Sequence, residues 1–204
     1  MKVDDVERGP VPEEVLAYWR SKEIAPAFDV EDAWAEEHAH AFRVAGITSV
    51  DLLAALHAVI DRALAEGWDW SPGRVADALE AIGVTPLAPH RLRLIVATNV
   101  RVARAVGQWA RIERTKAALP YLLRSLGPAQ EHRPLHVTWA GTVLPVDDPW
   151  WSTHFPPDGF GCKCWVRQIT AAEAARIGVA SAPPPGDPDP GWANNPGKER
   201  LPPE

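Results

Sequence analysis

The side chains with the most chemistry to offer in this 204-residue chain lie between Arg133 and Val166. The stretch reads RPLHVTWAGTVLPVDDPWWSTHFPPDGFGCKCWV and holds both cysteines, His136, His154 and four of the ten tryptophans. Cys162 and Cys164 flank Lys163, and on an extended strand residues i and i+2 face the same way, so both sulfurs are expected on one side. Three chemistries fit such a pair. The cysteines are buried small apolar groups, or half of a zinc site, or a redox couple. A zinc site would add two of His132, His136 and His154 to the thiolates, with Cys162, Cys164, His136 and His154 as the candidate ligand set. Cys-x-Cys is a less specific zinc signal than Cys-x-x-Cys. A disulfide across one residue is strained, and a reducing compartment disfavours it further.

The histidines together with Asp147 and Asp148 also allow a metal-dependent nuclease or a general base. No nucleophile elbow, H-E-x-x-H or phosphate-binding loop accompanies them. The chain is therefore expected to be non-enzymatic, with no catalytic residue assigned and no cofactor other than the zinc option. In Phe155-Pro156-Pro157-Asp158-Gly159 two prolines stiffen the chain, and Asp-Gly permits a turn with positive φ. Trp150, Trp151, Phe155, Phe160 and Trp165 are expected to pack together as the core of a small module.

Those residues need a scaffold. The formal net charge is −6, which argues against a molecule that binds DNA through overall charge. A local basic row remains: Arg101, Arg104, Gln108 and Arg111 are spaced three, four and three, one face of a helix. That row is either a solvated face or a contact surface for nucleic acid or an acidic protein. The N-terminus lacks the apolar segment of a secretory signal, and no run approaches the roughly 20 apolar residues of a membrane span. Two cysteines make no secreted disulfide framework. A cytoplasmic setting and no membrane partner are expected.

Helices are predicted over 12–23, roughly 30–45 with Asp29 as N-cap, from Ser49 to Gly67, 72–82 and 89–118. Ala33, Trp34, Phe42 and Val44 are the packing residues of the second. Leu92, Ile95, Val96, Val102, Val106 and Trp109 form the buried side of the long fifth helix. Asn99 is expected to bond a neighbouring loop, and His57 to be a packed residue. Residues 121–126 read as a strand or a trailing turn. Strands are predicted over 135–146, with a turn at Gly141-Thr142, and over 162–169. Thr170 begins a short helix. The Pro- and Gly-rich segment after Ala180 is expected to be extended and without its own core. The class is α+β: a helical region 1–118 with one long helix, a small β-rich module 119–178, and an extended tail 179–204.

Arg133, Pro134, His136, Gly141, Pro156, Pro157, Gly159, Cys162 and Cys164 fall in an order that resembles the phage Mu F-like head morphogenesis family, the minor head proteins. Lys163 stands where that family usually has Arg. YWRSKEIAPAFDVEDAWAEEHAHAF, TNVRVARAVGQWARIERTKAALPYL and the tail segment DPGWANNPGK are similar to family segments as well. The link from Trp70 to Pro89 is short for the family. The resemblance implies a phage or prophage minor capsid protein of the virion head, present in the host cytoplasm during assembly. It implies roles in capsid assembly, portal association and DNA packaging, and it supplies a role rather than a reaction. The expected partners are portal protein, major capsid or scaffold protein and packaged DNA. The expected contacts are Arg101, Arg104, Arg111 and the tail residue Trp192.

Overall fold

A computed structural model of the chain describes residues 11–28, 41–67, 72–83, 87–129 and 131–198. It is α+β, with six helices and small sheets among the described residues. The chain divides into two compact units, Met1–Arg104 and Ala105–Glu204, so the division falls inside the long helix rather than at its end.

In the first unit α1 (Glu13–Arg20) buries Val15, Leu16, Tyr18 and Trp19, and Glu13 and Glu14 sit at its positive end. Strand β1 (Glu23–Ile24) pairs in parallel with β2 (Ala41–Phe42). The helix expected over 30–45 is corrected at its C-terminal end, because Ala41 and Phe42 are strand and a turn follows at Ala45 and Gly46. Long-range pairing decides this: β2 fills the open edge of β1, and Phe42 packs 5.3 Å from Trp19. Asp29, Ala33 and Trp34 lie outside the described residues. Helix α2 (Val50–Glu66) begins where Ser49 Oγ accepts a hydrogen bond from Leu52 N at 3.3 Å. Gly67, left-handed, closes it. Its buried face is Leu53, Ala55, Leu56, Val59, Ile60, Ala63 and Leu64.

His57 is a packed residue, as its position on α2 suggests. It stacks on Trp19 at 4.5 Å, and its Nε2 donates to the Trp19 carbonyl at 3.1 Å. The Trp19 indole donates back to the His57 carbonyl at 3.2 Å. Helix α3 is Pro72–Glu80, and α4 is Pro89–Thr115. Leu92, Ile95, Val96, Val102, Val106 and Trp109 of α4 are buried as expected. Asn99 is buried too, but its Nδ2 donates to Ile95 O at 2.9 Å in its own helix rather than to a loop.

The second unit is built on a three-stranded antiparallel sheet of order β4-β3-β5. The strands are β3 (Tyr121–Ser125), β4 (Val143–Pro145) and β5 (Trp165–Ile169). The strand expected over 135–146 is corrected: Pro134–Trp139 is a helix, α5, and only Val143–Pro145 is strand. Pro134 sets a helical φ at the first position, and Gly141 at φ 82° turns the chain into β4. The driving packing is tertiary, since the turn of helix carries both His136 and Trp139 inward. The strand expected over 162–169 begins only at Trp165, so both cysteines precede it. Thr170 caps α6 (Ala171–Ile177) by accepting from Glu173 N at 3.1 Å.

The core of this unit gathers Trp109, Ile112, Leu122, Trp139, Leu144, Val146, Trp150, Trp151, Phe155 and Val166. Trp165 and Phe160 do not join it, being 45% and 39% exposed. The tail is the segment expected to be extended and without its own core. Its described residues hold no regular element, and Trp139 Nε1 donates to Pro185 O at 2.9 Å and Asn195 Nδ2 donates to Trp151 O at 2.9 Å. The tail is thus packed against the core that the preceding residues build.

Candidate functional site

The polar centre of the second unit is Arg124, the fourth of the five residues of β3. Both neighbouring strands pair with this segment, and the alternation of the strand sends Arg124 to the aromatic side with Leu122. It is 1% exposed. Its Nη1 donates to His154 O at 2.6 Å and its Nη2 to Asp158 Oδ2 at 2.5 Å. The guanidinium lies 5.1 Å from the Trp139 ring and 5.6 Å from the Trp150 ring. A buried charge needs such pairing and stacking to be tolerated. Sequence reading passed over Arg124. The signal was a single charged residue inside the apolar run YLLRSL, at an inward-facing position.

Asp158 is 0% exposed. It fixes the Pro156-Pro157-Asp158-Gly159 loop to β3 through Arg124, and its carbonyl accepts from Asp189 N at 3.1 Å. The positive φ expected at Asp-Gly falls two residues later, on Gly161 at 71°. Gly159 serves close approach instead, since a Cβ there would collide with the Asp189 carboxylate. Arg133 Nη2 pairs with that carboxylate at 3.1 Å and donates to Phe160 O at 2.9 Å. Helix α5, loop and tail are locked together at this point.

The lock brings three metal-binding side chains into one cluster. His136 Nδ1 is 3.7 Å from Cys162 Sγ and 3.4 Å from Cys164 Sγ, and the three ligand atoms all lie within 4.8 Å of one another. His136 and Cys162 are buried and Cys164 is half-buried. Cys162 Sγ also approaches Asp158 Oδ2 at 3.6 Å. The hydrogen bond to Cys164, then burial, push the Cys162 thiol above its ordinary range. The same bond pulls Cys164 down to about 7, with burial opposing and the Arg124 guanidinium assisting.

His154 does not enter the cluster. Its ring stacks on Trp150 at 4.6 Å, its Nε2 donates to Gly186 O at 2.9 Å and its Nδ1 faces Thr153 Oγ1 at 2.7 Å. Both nitrogens are committed to structure. His132 sits half-buried in the loop before α5. Asp147 pairs with Lys116 at 2.8 Å, and Asp148 caps the 3-10 helix Pro149–Ser152 by accepting from Trp150 N. Neither aspartate joins the histidines.

The expected contact residues are spread along the chain. Arg101 and Arg104 are half-buried on the part of α4 in the first unit, and Arg111 is exposed on the part in the second. Trp192 is 6% exposed, with its ring 5.0 Å from Phe160. The indole is turned largely into its own module rather than presented on the surface.

Residues 54–167 match the family model described as Phage Mu protein F like protein. That segment includes Arg124, His136, Asp158, Cys162 and Cys164. The chain is 30% identical over 187 residues to "Putative capsid assembly protein F" of Escherichia phage Mu, covering 82% of this chain and 42% of that protein. It is 26% identical over 165 residues to "Mu-like prophage FluMu F protein" of Haemophilus influenzae, covering 71% of this chain and 39% of that protein. The chain thus spans about two fifths of the length of these curated relatives. No solved structure matches.

Proposed function

The chain belongs to the phage Mu protein F-like family, and from that premise we propose that it acts as a phage or prophage minor head protein in capsid assembly. The observation that carries this reading is the family match over more than half the chain, joined to the likeness to a protein named for capsid assembly. The architecture suits the role. A module whose loop, helix and tail are cross-locked around buried Arg124 presents a fixed surface, which suits docking to a large assembly.

Its working place on this reading is the virion head, after assembly in the host cytoplasm. Its partners are portal protein and the major capsid or scaffold protein, and it handles packaged DNA. The Arg101, Arg104 and Arg111 guanidinium groups supply positive charge toward an acidic protein surface or phosphate in a molecule of net charge −6. Trp192 contributes indirectly, by holding the tail on the module. The metal-dependent nuclease alternative has less support, since it needs His136 and His154 on one ion while His154 is engaged by Gly186 and Thr153.

The test is genetic. Deleting the gene from an inducible prophage should abolish normal heads, seen by electron microscopy of the lysate, with rescue by the chain supplied in trans. An Arg101→Glu, Arg104→Glu, Arg111→Glu triple variant should fold but co-sediment less with portal and capsid protein. Normal yields of filled heads from the deletion strain would overturn the proposal.

A further inference from the structure

The cluster at the start of β5 has a geometry that two buried thiols do not explain. Both sulfurs converge on one nitrogen, His136 Nδ1, at 3.4 and 3.7 Å. An imidazole nitrogen has one proton or one lone pair, so it satisfies a single thiol, and the other sulfur is left with only the long 3.6 Å approach to Asp158 Oδ2 and its neighbouring thiol. A tetrahedral ion serves all three. With Zn–S near 2.3 Å and Zn–N near 2.0 Å, the sulfur-to-nitrogen edge of the tetrahedron is about 3.5 Å and the sulfur-to-sulfur edge about 3.8 Å. The observed edges bracket the first value, and the sulfur pair lies within the 4.8 Å envelope of the cluster.

A second observation points the same way. Asp158 is fully buried, Arg124 takes its Oδ2, and its Oδ1 is buried without a hydrogen-bond partner. A lone carboxylate oxygen of this kind is costly unless something occupies it. The other oxygen, Oδ2, which Arg124 holds, is the one that approaches Cys162 Sγ, at 3.6 Å.

We propose that His136 Nδ1, Cys162 Sγ and Cys164 Sγ bind a zinc ion, with an oxygen ligand from solvent in the fourth position and the buried Asp158 carboxylate beside Cys162 as a charge partner outside the ligand set. Binding displaces both thiol protons to solvent, so the two sulfurs enter as thiolates. The charges then balance: two thiolates and Asp158 against the two charges of zinc and the one of Arg124. Arg124 acts as a positioning residue by holding Asp158. The ion would tie α5 to the loop before β5, a link between residues 136 and 162–164 that the backbone alone does not make. Borderline-soft thiolate and imidazole ligands favour zinc over magnesium or calcium. The inference rests on the cluster and stands apart from the head-protein reading.

The first experiment needs no variant. The full chain is purified without a tag, reduced, stripped of metal and titrated with cobalt(II). A thiolate-to-cobalt charge-transfer band with the intense visible bands of tetrahedral cobalt should saturate at one ion per chain and disappear when zinc is added. Zinc absorption-edge spectroscopy of the zinc form should show two sulfur and two nitrogen or oxygen neighbours. Zinc should raise the melting temperature of the wild type and of His132→Gln, but not of Cys164→Ser. A reduced chain with no thiolate-to-cobalt band would overturn the proposal, and so would a zinc-dependent melting shift preserved in Cys164→Ser.

Discussion

Arg124 stands between the two tryptophans it stacks on and the carboxylate it neutralises. Truncating one member of a buried ion pair leaves the other charged and desolvated, at a cost of about 3–5 kcal/mol. Arg124→Leu should therefore lower the unfolding free energy by roughly that amount, measured in urea by tryptophan fluorescence. A loss no greater than that of a surface substitution would mean that Asp158 finds another partner. His57 makes a second, opposite kind of prediction. Burial, the largest cause, holds its pKa below the ordinary value, against the pull of the Trp19 carbonyl and Asp61, while Lys22 pushes the same way as burial. The unfolded chain thus takes up the proton first as pH falls. The stability that His57 contributes is complete above about pH 6.5 and is lost below it as protonation draws the chain toward the unfolded state. Wild type should weaken more steeply than His57→Gln between neutral and mildly acidic pH. Parallel slopes would show that other groups carry the dependence.

At the scale of elements, the tail behaves as part of the module. Asn195 bonds Trp151 O through Nδ2, and its Oδ1 accepts from Gly197 N and Lys198 N. Gly197 lies so close to Trp109 that an added Cβ would strike its Cβ and Cγ. Asn195→Ala should cost about 1–3 kcal/mol through the buried groups it strands. Gly197→Ala should free residues 187–198 to exchange amide hydrogen faster than the wild type, with α4 unchanged. Unaltered exchange in both variants would mean that the tail is held elsewhere, through Asp189 and Pro185. Deleting residues 181–204 is consequently a poor probe of partner binding. It uncovers Trp139 and Trp151, so lost head assembly would follow from a damaged fold whether or not the tail touches a partner.

The whole molecule divides within α4 into two compact units, and among the described residues each buries tryptophan of its own: Trp19 in the first, Trp109, Trp139, Trp150, Trp151 and Trp192 in the second. Units with separate cores tend to unfold separately. Calorimetry should resolve two transitions, one lowered by His57→Gln and the other by Arg124→Leu. A single transition shifted by both substitutions would show that the shared helix makes the units one cooperative body.

Periodicity and capping alone determined most of the described helices. The stripes of α1, α2 and α4 are local patterns, and Ser49, Gly67 and Thr170 act through bonds to residues within four positions. The order of motif residues from Arg133 to Cys164 was enough to point to the family. What needed the tertiary structure was every feature set by distant partners. Ala41 and Phe42 became strand because β1 offered an edge. Pro134–Trp139 became helix because that turn buries His136 and Trp139 on one side. The tail gained order from a core built by other residues. The candidate metal set shows the division most plainly. Cys162, Cys164 and His136 were legible as residue types with the right chemistry, but spacing could not tell His136 from His154. That choice depends on which ring nitrogens the fold leaves for the sulfurs, and on an arginine that sequence gave no reason to place beside them.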